Sequence, residues 1–353
     1  MKLNCKKVVM LVMVVVMAAT TIMGCSKLND DDIVATVGAD KITLGVANFY
    51  ARFQQAQYET YYASFMGDDM WNTEVSDGVT YEESIKSSTL TTLQNMYLLK
   101  QHMADYKVEV TEDDKTAIKK AASQFVEDNA LESKAVVSGN LETVKEYLNL
   151  LTIQSKMFAP MTADVSSEVS DEEAAQKSMQ YLEFAFTTTD ADGNSKTLTD
   201  AEKTTLKETA SNFLEGAKTA ADFNAYATAA GYAVSTATFD AKATTPNAEL
   251  VAAADALEEG GITGIVETDA GYYVAKVTSL LDRTATDAKK ESIVSQRKQD
   301  QYNTLLEKWK SDIEIKVNKK VWAKVGFQKQ GVTMKQSEEQ PYATGASDTT
   351  TIE

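Results

Sequence analysis

The chain has 353 residues, 43% of them hydrophobic and 25% charged, an ordinary globular balance with room for about two domains. Its 52 acidic residues against 35 basic ones give a formal charge of −17, which argues against nucleic acid as a partner, because that binding rests on cationic neutralisation of phosphates. His102 is the single histidine, so no multi-histidine zinc site can form, and a triad or Cys-His dyad would have to be built around that one residue.

The first elements concern targeting. Lys2, Lys6 and Lys7 precede Val8–Ile22, an uncharged and mostly apolar run of about fifteen residues, the proportions of a secretory signal peptide. A spanning helix needs about twenty. The run ends in Ile22-Met23-Gly24-Cys25, which resembles a bacterial lipobox. The resemblance implies cleavage before Cys25 and a diacylglyceryl thioether on its sulfur. Cys5 lies in the removed part, so Cys25 is then the sole cysteine and no internal disulfide can form. Loss of the three lysines takes the charge from −17 to −20. The alternative is an uncleaved anchor helix; either way the remainder is extracytoplasmic.

Residues 25–32 read as a tether. Ile33–Val37 reads as a strand, Gly38–Lys41 as a turn, and Thr43 as an N-cap. Val46, Phe49, Tyr50, Phe53 and Gln57 fall at helical spacing. Gly67–Thr80 reads as a loop. Ile85, Leu93, Met96 and Leu99 mark a long helix, within which His102 near the end is a surface or packing residue. Thr111 caps the next helix, with Asp114 at a position favoured by the helix dipole. Leu141, Val144, Leu148 and Leu151 define another, ending near Pro160. Residues 162–175 read as a linker.

A strand follows at Tyr181–Phe186, then a turn at 190–194 that lacks the glycine position and closing acid of a calcium loop. Helices are expected over about 200–214, 222–230 and 248–257, the last stopped by Gly260-Gly261. Strands at 264–267 and 272–278 close an α+β unit spanning 176–281. A charged helix from Ala285 to about Trp309 and a strand through Ile313, Ile315 and Val317 complete the packed part, with Trp322, Val325 and Phe327 extending it. Residues 328–353 are polar and expected to be disordered.

Three stretches carry a family resemblance. Val34–Thr43 is similar to the strand-turn-strand that opens the chaperone domain of extracytoplasmic foldases of the PrsA and SurA type, and Val108–Asp114 to a phrase common in that domain. Ala256–Val277 (ALEEGGITGIVETDAGYYVAKV) follows the ending of a parvulin domain without a gap, and Asp222-Phe223 with Tyr226-Ala227 resembles its middle helix. The resemblance implies a mainly helical chaperone domain, 33–161 completed by 282–327, with a parvulin-like α+β domain at 176–281 inserted. The parvulin catalytic positions fall on Tyr181, Gly231, Pro246, Leu250 and Tyr273, none of which retains the family residue.

The expectation is therefore a membrane-anchored foldase or chaperone for unfolded secreted polypeptides, with a weak or inactive prolyl isomerase unit and no cofactor or metal. Two alternatives stand beside it: an active isomerase with a rebuilt site, and a solute-binding or scaffold lipoprotein. Whether the chain forms a homodimer stays open.

Overall fold

The computed structural model describes residues 16–19, 28–67, 69–189, 193–328 and 331–335. The fold is α+β, in two units: residues up to 164 together with those from 299 on, and residues 165–298. Cys25 and most of the leader lie outside the described residues.

Unit 1 begins with β1 (Val16–Ala19), followed by the hairpin of β2 (Ile33–Val37) and β3 (Asp40–Thr43). Gly38 turns it at φ +56°, a conformation a side chain disfavours. Thr43 accepts from the Val46 amide and starts α1 (Leu44–Met66). A 3-10 turn at Met70–Asn72 and a hairpin of β4 (Glu74–Ser76) and β5 (Val79–Thr80) lead to α2 (Tyr81–Gln101). Then come α3 (Glu112–Asp128), α4 (Leu131–Val136) and α5 (Leu141–Met161). Thr80 and Thr111 each close a reciprocal capping box, with Glu83 and Asp114.

In unit 2, α6 (Asp171–Ala174) precedes β6 (Lys177–Ala185), β7 (Thr187–Thr189) and β8 (Ser195–Thr197). These are followed by α7 (Asp200–Thr219), α8 (Phe223–Ala229), β9 (Ser235–Phe239) and α9 (Ala248–Asp255). The hairpin of β10 (Val266–Glu267) and β11 (Gly271–Ser279) ends the unit's sheet, antiparallel in the order β10-β11-β6-β9. Period-two alternation sends Leu182, Phe184, Tyr272 and Val274 to the face covered by α7 and α8. Met179, Phe239, Tyr273 and Ala275 go to the face covered by α9.

The chain leaves unit 2 along α10 (Arg283–Asp312) and returns to unit 1 as β12 (Ile315–Val317), α11 (Lys319–Trp322) and β13 (Val332–Lys335). β12 pairs with β2, placing Ile315 opposite Val37 and Val317 opposite Ala35. Tyr302, Leu306, Trp309, Val325 and Phe327 are buried with Leu93, Leu98 and Leu150 in one core. A neighbouring core centres on Phe49, Phe125 and Tyr147. His102 lies stacked on Trp309, centroids 3.9 Å apart, with its Nδ1 2.7 Å from Asp105 Oδ2.

Several boundaries differ from the sequence expectation. Residues 30–32 of the expected tether are docked: Asp30 accepts from Ser138 and Asn140, and Lys324 bonds Asp32 at 2.6 Å. Residues 171–174 of the expected linker are helical, because Asp171 binds Arg283 and Lys290, and Glu173 binds Arg297. The loop expected over 67–80 contains the 3-10 turn and the β4–β5 hairpin. The tail from 328 contains β13. Val332 is fully buried and Met334 packs on the Phe49 core, an alternating pair inside an otherwise polar stretch. Val16–Ala19, inside the expected leader, pairs with that strand.

Candidate functional site

Consider first the face of unit 2 where the parvulin-like positions fall. Leu250 on α9 is wholly buried, and Tyr273 on β11 is nearly so. Tyr181 on β6 brings its ring to 6.4 Å from that of Tyr273. Asn247 caps α9, its Oδ1 accepting from the Leu250 amide at 2.7 Å. Pro246 stands one residue before that cap. Gly231 ends α8 with φ +85° and open space where a side chain would be, and its neighbour Tyr232 packs into the opposite face's core. The structure thus brings Tyr181, Leu250 and Tyr273 into one cluster, while the space beside Gly231 stays open.

Burial pushes the Tyr273 phenol well up, and the nearby Glu183 carboxylate pushes it further. It stays neutral at physiological pH and cannot serve as a base. Among the described residues, no thiol or imidazole joins this face. Among the described residues, no group of three His, Cys, Asp or Glu could hold a metal.

The segment that most resembles parvulin forms one continuous piece of this unit. Gly260 and Gly261 exchange backbone hydrogen bonds with Val277 at 2.9 Å, and Thr263 donates to Ala275 at 2.9 Å, so the loop is laced along β11. Thr268 Oγ1 accepts from the Ala270 and Gly271 amides and turns the β10–β11 hairpin.

A different surface lies on unit 1. Tyr58, Tyr61, Tyr62 and Phe65 follow i, i+3, i+4, i+7 spacing on the last turns of α1. Tyr58 packs inward, edge-on to Tyr81 at 5.5 Å and to Trp71 at 6.2 Å. The other three are exposed: Tyr61 47%, Tyr62 49% and Phe65 90%. Val75 and Val79 of the following hairpin are exposed too. Such a group of large apolar side chains is a marker of a protein-binding surface.

A cleft of about 400 Å³ opens among Glu59, Ala63, Met70, Trp71, Phe327 and Thr333. Glu59 ties its walls together. Its Oε1 accepts from Trp71 Nε1 at 2.9 Å and Gln55 Nε2 at 2.6 Å, and its Oε2 from the Val332 amide at 2.7 Å. Asp69, Glu74 and Asp77, in the segment after α1, are exposed. The arrangement suits an apolar stretch of polypeptide with basic flanks. Sequence reading stopped the helical stripe at Gln57 and missed this surface. The signal available was the aromatic spacing 58, 61, 62, 65, which periodicity alone assigns to a core.

No family model matches the chain, and no curated protein matches it. Solved structures to which it is similar include the foldase PrsA of Lactococcus lactis, at 14% identity over 83% of this chain and 97% of that one, TM-score 0.34. PrsA of Streptococcus pneumoniae matches at 18% identity over 72% and 98%, TM-score 0.31. A SurA-like chaperone of Campylobacter jejuni matches at 14% over 81% and 98%, TM-score 0.29.

Proposed function

We propose that this protein is an extracytoplasmic foldase, anchored by lipid on Cys25, that holds unfolded secreted polypeptides on unit 1. In this reading unit 2 is a parvulin-like module, weak or inactive as a prolyl isomerase. The observation that carries the proposal is the exposed aromatic stripe Tyr61, Tyr62 and Phe65 beside the Trp71 cleft. Chains emerging unfolded expose apolar segments, and covering these is favourable by roughly 25 cal/mol per Å². An acidic rim adds affinity for basic flanks and keeps the carrier soluble.

The isomerase half of the reading rests on packing. Amide rotation meets a barrier of about 18–20 kcal/mol. Lowering it requires a pocket that favours the twisted amide over the planar one. Here Leu250 and Tyr273 are themselves buried against Met179 and Phe239, with α9 seated on the sheet. Lipid on Cys25 supplies the membrane attachment in this reading; among the described residues no helix is long and apolar enough to cross a membrane.

Aggregation of a reduced, denatured secreted protein tests the proposal. The protein is expected to suppress light scattering at stoichiometric amounts, and Tyr61→Ser/Tyr62→Ser/Phe65→Ser should lose most of that protection with little change in its own melting temperature. Equal protection by the triple variant would remove the stripe from the account.

A further inference from the structure

β13 has two edges, and they are held differently. Successive amides of a strand point to opposite edges. The Val332 amide donates to Glu59 Oε2 at 2.7 Å and the Met334 amide to Thr60 Oγ1 at 2.8 Å, so that edge is fastened to side chains of α1. The Thr333 amide therefore faces the other edge. There Val16–Ala19 pairs antiparallel, Ala18 opposite Thr333 and Val16 opposite Lys335. That strand belongs to the leader expected to be removed before Cys25.

Removal leaves the edge of β13 with unpaired backbone groups, beside the buried Val332. Residues paired across a ladder point to the same side. An occupant's residues opposite Val332 and Met334 therefore face the core those two pack into, and apolar residues at alternate positions fit. The chain's own seated segment, Val-Met-Ala-Ala, shows the length and direction that the edge accepts.

We propose that this edge of β13 is a strand-addition slot that takes an extended apolar segment of a client polypeptide, and that the leader fills it until cleavage. The proposal rests on the foldase reading and on leader removal, and adds to them a backbone-mediated mode of binding. The aromatic stripe holds side chains without regard to register, whereas the slot reads an extended main chain.

The test uses a fluorescent peptide of residues 14–21 flanked by lysines, titrated into the full chain and into the processed chain that starts at residue 25. The processed chain binds saturably and the full chain at least about tenfold more weakly. N-methylation of the peptide at Ala18, whose amide faces Thr333, weakens binding about tenfold or more, while N-methylation at Met17, whose amide points away, is tolerated. Equal binding by both chains, no binding by the processed chain, or indifference to which amide is methylated would overturn the slot. The aggregation assay above, run on the same processed chain, separates the two claims. Protection without amide-selective peptide binding rejects the slot alone; absence of both rejects the foldase reading as well.

Discussion

Asp114 sits at the third position of α3, where its Oδ2 accepts from the Thr111 amide at 2.9 Å and from the Thr111 hydroxyl at 2.8 Å, and also binds Lys156. Burial pushes its carboxyl up, but the hydrogen bonds from Lys156 and Thr111 outweigh that and bring it down to about 2. A carboxyl held below its unfolded value contributes stability above the unfolded pKa, and that contribution is lost as pH falls through the folded one. The wild type should therefore melt above Asp114→Asn at neutral pH. The gap between the two melting curves should close as pH falls from about 4 to 2, followed by circular dichroism. Gly271 makes a second residue-scale case. A side chain there would put its Cβ 2.4 Å from the Phe184 carbonyl oxygen, where β11 lies against β6. Gly271→Ala should destabilise unit 2 by about 1–3 kcal/mol, the ordinary cost of overpacking, read by chemical denaturation. The glycine that opens β11 thus has a packing reason.

Elements with strong local signals were legible in the sequence. Thr43 and Thr111 cap helices in the structure, and the aliphatic stripes of α2 and α5 face the cores, whereas the Thr80 cap lay hidden in the expected loop. β9 was not legible: Ser-Thr-Ala-Thr-Phe buries only Phe239 fully, so its strand state comes from pairing with β6 rather than from its own pattern. β13 was hidden in the same way, its two apolar residues surrounded by polar ones and its amides held by Glu59 and Thr60 from far away in sequence. The face of unit 2 between α9 and the sheet was half legible. The sequence places a bulky apolar Leu250 and an aromatic Tyr273 here, but their burial depends on how α9 seats. From that seating the account predicts exchange of Xaa-Pro peptides at or near the uncatalysed rate in the presence of the protein, measured by NMR. Acceleration abolished by Leu250→Ala or Tyr273→Ala would show a rebuilt isomerase site on this face.

At the scale of the whole chain, unit 1 is discontinuous, and its sheet is closed only when β12 returns to pair with β2. Phe327, wholly buried against Trp71 at 4.7 Å, shows that the last part of the chain completes the wall of the cleft beside the aromatic stripe. The wall of this cleft is therefore completed late in synthesis, from segments of unit 1 far apart in sequence. The most direct test of the central claim is to map a client onto the protein. Isotope-labelled processed chain is titrated with an unfolded, reduced secreted protein and followed by residue-resolved NMR. The account predicts perturbed signals at Tyr61, Tyr62, Phe65 and Trp71, with Leu250 and Tyr273 unmoved. Perturbation confined to Tyr181, Leu250 and Tyr273 would contradict it and make unit 2 the working site.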